Sequence, residues 1–302
     1  MARASLGGRL FASMMKWRNI KGMFADTART AQIIEQCRQT NAVAYTMPAV
    51  KLKSQMERTV IADMDCVVLS HARPSGKVLW YLHGGAYIFH ASDFHWQFLD
   101  RIVQHTRATV IATNYPLAPN HQAAEVVPGL RAVYQAIVAA TPAHQVVVAG
   151  DSAGGGLALA CAQDWRDQQL PQPAHLCLLS PWLDIAMQNP DAQSLDAGDV
   201  LLSIPGLVLA GASWRGSLAE QHPWVSPLYG NLSGLAPLAM WVGTHEIFYP
   251  DVRMLRDKAQ AAGVLAHYTE APGMFHAYQI FPVPEAKRVA QYLHGVLTQV
   301  VV

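Results

Sequence analysis

Cysteine is scarce in this chain. Cys37, Cys66, Cys161 and Cys177 are spread over 302 residues with neither CxxC spacing nor a partnered His-Cys cluster. That pattern argues against a zinc site and leaves Cys161 and Cys177, which lie in apolar runs, as buried thiols. Net charge is also slight. Lys and Arg number 22 against 21 Asp and Glu, for a net of +1. With no basic block, a nucleic-acid partner has no electrostatic footprint. Long hydrophobic runs are missing too. No window approaches the roughly eighteen uninterrupted apolar residues of a membrane span. The N-terminal "MARASLGGRLFASMMKWRN" lacks the longer uncharged core and small-residue cleavage site of a signal peptide, and reads as an amphipathic helix. A reducing, cytoplasmic setting is therefore expected. There is no internal repeat, low-complexity tract or flexible linker.

What remains is an apolar chain, 51% hydrophobic and long enough to bury a full core. Continuous β-rich runs recur: "VLWYLH" (78–83), "TVIATNY" (109–115), "VVVAG" (146–150), "HLCLLS" (175–180), "LAMWVG" (238–243) and "LAHYTEA" (265–271). Being continuous rather than alternating, they read as strands buried on both faces. Helical spacing is clearest over 92–105, 122–140, 154–167, 251–262 and 284–299. Strand alternating with helix predicts an α/β fold with a mostly parallel central sheet flanked by helices. "RTVIADMDCVVLS" (58–70) reads as an antiparallel pair or edge strand ahead of it.

Two regions break the alternation. Residues 1–50 read as helical and precede the first strand. Residues 184–225, with the apolar stretch "LLSIPGLVLAGASW", separate two strands by more than a usual connection. Together they are expected to form a helical cap over one end of the sheet, with residues 51–302 as the catalytic domain. Open α/β sheets bind ligands beyond their strand C-termini.

Gly150-Asp151-Ser152-Ala153-Gly154 places a serine where a strand should end and a helix begin. A serine hydroxyl is a weak nucleophile that must be presented to a base. A sharp strand-to-helix turn pushes it out above the sheet, and side chains two residues either side would collide, hence the glycines. A phosphate-cradling turn is the alternative, but no Lys-Ser/Thr follows and the glycines do not fall as G-x-G-x-x-G. "YLHGGAYIFH" adds His83-Gly84-Gly85-Ala86 after an earlier strand. Negative charge on an attacked ester carbonyl needs preset donors, and glycine lets the backbone supply them. Gly84, Gly85 and Ala153 are the expected oxyanion donors.

With these motifs the sequence resembles the hormone-sensitive-lipase-like family of α/β-hydrolase esterases. The blocks "HGGAY", "YPLAPNH", "GDSAGGGLA", "LSPWLD", "WVSPLYGNLSGLAP", "VGTHEIF" and "PGMFHAY" carry the likeness over roughly residues 75 to 300. Chain order in this fold is Ser, then acid, then His. The resemblance places the base at His276, in "APGMFHAY", and the acid at Glu246, in "GTHEIF". Asp251 is the rival acid, with helix capping as its plainer explanation. The sequence departs from the family at Ala86, where a third glycine is usual, and at Pro116, where arginine is common. Ala86 costs little unless its φ must be positive. His90, His95 and Trp96 stand between lining a pocket and packing. Asp151 could orient the loop, but is too close to Ser152 to serve as the acid.

The resemblance implies a serine carboxylic ester hydrolase acting on short- to medium-chain acyl esters, with no cofactor and no metal. Lactone opening, large macrocycles included, is the alternative, and a non-catalytic small-molecule receptor the remote one. Retention of Ser152, Glu246 and His276 together favours the enzyme. Tyr87, Trp182, Trp214 and Phe248 are the expected substrate-binding aromatics. The partner is a small-molecule ester or lactone, and a homodimer is left open.

Overall fold

A computed structural model describes residues 4–43 and 46–298. The segment expected as an antiparallel pair is a hairpin of β1 (Gln55–Ile61) and β2 (Met64–Ser70). Its two-residue turn, Ala62 and Asp63, has φ of 46° and 65°. Positive φ at both positions matches the twist of the flanking strands. The apolar runs then form β3 (Val78–Leu82), β4 (Thr109–Thr113), β5 (Val146–Asp151), β6 (His175–Leu179), β7 (Leu238–Gly243) and β8 (Leu265–Ala271). One eight-stranded sheet results, ordered β1-β2-β4-β3-β5-β6-β7-β8, antiparallel at its β1/β2 and β2/β4 pairings and parallel elsewhere.

β3, β5 and β7 are buried throughout. β8 departs from expectation, since most of its residues are only half-buried. It is one of the two edge strands and pairs with β7 alone.

The helices are α1 (Leu6–Trp17), α2 (Gly22–Ala25), α3 (Thr27–Thr40), α4 (Asp93–Thr106), α5 (Ala123–Ala140), α6 (Ser152–Asp167), α7 (Pro190–Asp196), α8 (Ile204–Arg215), α9 (Tyr249–Ala261) and α10 (Ala286–Thr298). Residue 299 of the expected last helix and residues 1–3, 44 and 45 of the N-terminal segment lie outside the described residues. Residues 46–50 are not helical, contrary to the expectation for 1–50. Right-handed crossovers put α4 on one face of the sheet and α5, α6 and α9 on the other. Accordingly α4 packs on α10 and α5 on α6. A stack of Trp80, Tyr134 and Trp165 fastens β3 to α5 and α6, its tightest pair 3.8 Å between ring centroids. α2 and α3 pack on α8, so the N-terminal segment meets the 184–225 insertion.

The β5–α6 turn is held in close contact with β3. A Cβ on Gly150 would lie 2.3 Å from Gly154 O, and one on Gly154 only 2.1 Å from Leu82 O. Both obstacles are backbone and cannot swing away. Gly154→Ala should therefore destabilise the fold by about 3 kcal/mol. Gly295, inside α10, meets nothing within 4 Å. Gly295→Ala should instead stabilise by about 0.8 kcal/mol. Denaturant midpoints of the two variants check this opposition.

Candidate active site

Parallel strands deliver the predicted residues to one edge of the sheet. Gly84 and Gly85 follow the C-terminus of β3, Ser152 that of β5, Glu246 that of β7 and His276 that of β8. Ser152 begins α6 with φ of 54°. A left-handed non-glycine residue costs about 1–2 kcal/mol and persists only where its surroundings enforce it. Here the close backbone contacts of Gly150 and Gly154 do so.

His276 and Glu246 meet directly, with His276 Nδ1 2.6 Å from Glu246 Oε2. Glu246 is fully buried. Its other oxygen, Oε1, accepts from the Ser180 hydroxyl at 2.7 Å and from Gly243 N–H at 2.6 Å. Burial lowers the His276 pKa, but the Glu246 charge and hydrogen bond, aided by Asp199 and Asp151, outweigh it and hold the pKa above the ordinary 6.5. Asp251 does not approach His276 in this way. It is buried in the first turn of α9 and accepts from Asn189 Nδ2 at 2.7 Å. Burial, with the Asn189 bond opposing it and the Asp184 charge adding to it, pushes the Asp251 carboxyl up to about 6.

Asp151 is a buried hub. Its Oδ1 accepts from Tyr81 OH at 2.6 Å and from Gly84 N–H at 2.9 Å, and its Oδ2 lies 3.2 Å from His95 Nε2. His95 Nδ1 accepts from Ser92 N–H, so Nε2 carries the proton given to Asp151. Burial raises the Asp151 carboxyl, but His95 and these hydrogen bonds bring it down to about 2. The expectation for Gly84 is thereby corrected, because its N–H is committed to Asp151 and is not free for an oxyanion. Among the described residues, Gly85 and Ala86 N–H groups make no hydrogen bond. Ala153 N–H lies in the first turn of α6, where intrahelical partners are lacking. Gly85, Ala86 and Tyr87 run at φ of 124°, 53° and 62°. The condition on Ala86 is met, and alanine carries left-handed strain there. His83 donates Nδ1–H to Gly84 O, and burial drops its pKa to about 3, so the ring is neutral. His90 pairs with Asn114, and Trp96 is buried.

The four aromatics form one continuous ladder. Tyr87 stacks on Trp214 at 4.4 Å and meets Trp182 at 5.6 Å. Trp182 stacks on Phe248 at 5.9 Å, and Phe248 stands edge-on to His276 at 5.0 Å. None is more than 1% exposed. They pack on one another, a core role, while reaching the histidine.

Ser180 lies in the block "LSPWLD", where its place in the chain alone does not reveal its partners. Just past β6 with φ of 46°, it bonds Glu246 and accepts from Ala277 N–H at 3.2 Å. It thus ties Glu246 to the residue after His276. Asp199, from the insertion, accepts from Ile247 N–H at 3.0 Å, next to Glu246 in the chain. Its position in the chain gives no signal of this contact. Among the described residues no cluster of His, Cys, Asp and Glu could hold a metal ion, and no helix is long and apolar enough to cross a membrane.

This arrangement agrees with the kinship of the chain. The alpha/beta hydrolase fold family matches over residues 79–280, and the chain belongs to that family. An acetyl-hydrolase of Streptomyces hygroscopicus is 34% identical, over 73% of this chain and 75% of its own length. An esterase of Acinetobacter venetianus is 32% identical, over 70% and 71%. Among solved structures, an esterase/lipase from an uncultured bacterium superposes with a TM-score of 0.83 at 26% identity, covering 98% of this chain and 100% of that one. EstE7, a hormone-sensitive-lipase homologue from a metagenome library, gives 0.82 at 26%, covering 96% and 98%. The chain is a carboxylic ester hydrolase.

Two measurements probe the buried pair. An NMR titration of the His276 ring should give a midpoint above 6.5, falling in Glu246→Gln, where burial acts with less opposition. Because the folded-state value is raised, the linked stability is present below 6.5 and is lost as pH rises through the folded value. Ser180→Ala should lower kcat by roughly 10- to 100-fold through loss of a hydrogen bond to a charged acceptor. KM for a small ester should stay unchanged, and an unaltered kcat would remove Ser180 from the positioning of Glu246.

Proposed function

We propose that the chain is a hormone-sensitive-lipase-like serine esterase that cleaves short- to medium-chain acyl esters through an acyl-enzyme. The buried 2.6 Å contact of His276 Nδ1 with Glu246 Oε2, on the sheet edge that also presents Ser152, carries this reading. Ser152 Oγ attacks the acyl carbon while His276 takes its proton. The oxyanion is received by N–H groups of Gly85, Ala86 and Ala153, in a site where low dielectric strengthens each donor. Collapse of the tetrahedral species expels the alcohol with the proton returned by His276. Water activated by His276 then releases the acid and restores Ser152. Glu246 fixes the tautomer and offsets the imidazolium charge.

Asp151 serves the oxyanion loop, since it holds Gly84 N–H while the N–H groups of Gly85 and Ala86 make no hydrogen bond among the described residues. The N-terminal segment and residues 184–225 act as the cap. Their contact through α2, α3 and α8 supports this, as do the links of Asp199 and Asn189 to the acid segment. Tyr87, Trp182, Trp214 and Phe248 set the shape of the alcohol side from behind. No feature of the site favours ring opening of a lactone over ester cleavage. The four free, buried cysteines support a reducing, cytoplasmic setting.

Ser152→Ala should fold normally and lose at least about three orders of magnitude in esterase activity, together with labelling by a fluorophosphonate. Activity within tenfold of wild type would refute the nucleophile. Glu246→Gln should cost roughly 10³- to 10⁴-fold in kcat. Asp251→Asn should cost less than about tenfold, having no bond to His276. The reverse ranking would transfer the acid role to Asp251.

A further inference from the structure

We propose that α1 is a docking surface for an anionic lipid bilayer, lying flat on it beside the active site. Residues 1–25 hold five basic residues, Arg3, Arg9, Lys16, Arg18 and Lys21, and no Asp or Glu. In a chain of net charge +1, that is a strongly cationic segment. Lys21 is occupied by Asp196. Arg9, Lys16 and Arg18 are exposed and, among the described residues, make no ion pair.

α1 is apolar on two sides. Its inner side is accounted for by packing. Phe11 stacks on Phe275 at 5.7 Å and meets Phe281 at 5.0 Å, while Gly8 and Met15 are buried. Its outer side has no such account. Leu6, Leu10, Met14 and Trp17, spaced four, four and three apart, share one helical stripe. They are 70%, 63%, 37% and 85% exposed, and they are four of the nine exposed large hydrophobics among the described residues. They lie in the segment expected to cap the sheet, but the structure turns them outward.

An exposed aliphatic and tryptophan stripe flanked by cations is the pattern of a helix that rests in a lipid interface. Twelve residues reach only about 18 Å, too short to span a bilayer. A second copy of the chain fits poorly. A symmetric pairing of the stripe would bring Arg9, Lys16 and Arg18 of both copies together with no carboxylate on the segment to offset them. Anionic headgroups supply the missing charge. The surface continues past α1. Pro284, 3.1 Å from the position of a Gly7 Cβ, also lines an apolar groove of about 810 Å³ between α4 and α10, which Arg101 and Lys287 border and no acidic side chain lines. Phe275, on which Phe11 stacks, immediately precedes His276, so docking would bring bilayer-dissolved molecules to the site.

The test reads binding, not catalysis, and so stands apart from the esterase proposal. The full chain is sedimented with phosphatidylcholine vesicles with and without phosphatidylglycerol. Wild type should bind the anionic vesicles, more weakly as salt rises. Leu10→Ser/Trp17→Ser and, separately, Arg9→Glu/Arg18→Glu should each lose about tenfold or more in partitioning. Unchanged melting temperature and soluble-ester hydrolysis would show that both variants are folded, since all four side chains are exposed. Failure of wild type to bind, equal binding to pure phosphatidylcholine, or unchanged partitioning in both variants would overturn the proposal. So would a wild-type dimer that the Leu10→Ser/Trp17→Ser variant dissociates.

Discussion

The contact between the start of α6 and the end of β3 governs this molecule. Backbone meets backbone where Gly154 faces Leu82 O and His83 O, with no room for a methyl group. That approach presses Ser152 into a left-handed conformation and aims the helix N-terminus at the loop after β3. Nearby, Gly156 meets Trp182 O just as tightly, and Trp182 N–H donates to Ser152 O at 2.9 Å. The serine is therefore held on both flanks. Strain of this kind survives in a functional turn only because neighbouring structure over-determines it.

Two buried carboxylates, Asp151 and Glu246, are set apart by their partners. Asp151 is saturated by three donors: a phenol, a backbone amide and an imidazole whose other nitrogen is already an acceptor. It behaves as a fixed anchor for the loop. Glu246 keeps one oxygen for two donors and gives the other to His276. An anionic oxygen so oriented favours imidazolium against the pull of burial. The division follows from what surrounds each group, since both are ordinary acids in the sequence.

The insertion is fastened to the segment that follows β7 rather than lying loose over it. Asp199 holds Ile247 N–H as well as the amides of Leu201 and Leu202, and Asn189 reaches Asp251. Movement of residues 184–225 would thus be felt next to Glu246. The N-terminal helices join the same body through α8, and α1 joins it from the other direction through the Phe11, Phe275 and Phe281 cluster.

Much of this could be read in the chain. Continuous apolar runs announced the inner strands because a parallel sheet is covered on both faces. The motif glycines marked Ser152 because only a residue without Cβ survives such close approach. β8 misled, since an apolar run does not say whether a strand has one neighbour or two. Local order also named Gly84 as a free donor, when a hydrogen bond from 67 residues away takes its N–H. Ser180 stood in a recognisable block, but its work depends on Glu246 and Ala277 lying 66 and 97 residues on. Leu10, Met14 and Trp17 show helical spacing, yet spacing is identical for a stripe that faces the core and one that faces water. By itself the sequence determined the inner strands of the sheet and the strand–turn–helix around Ser152, because these rest on local sterics and period, while the order of serine, acid and histidine came only with the resemblance its motifs carry. Only the tertiary structure decided which N–H groups are spent, which carboxylate meets the histidine and which side of α1 is bare. Those depend on partners that folding brings from distant parts of the chain.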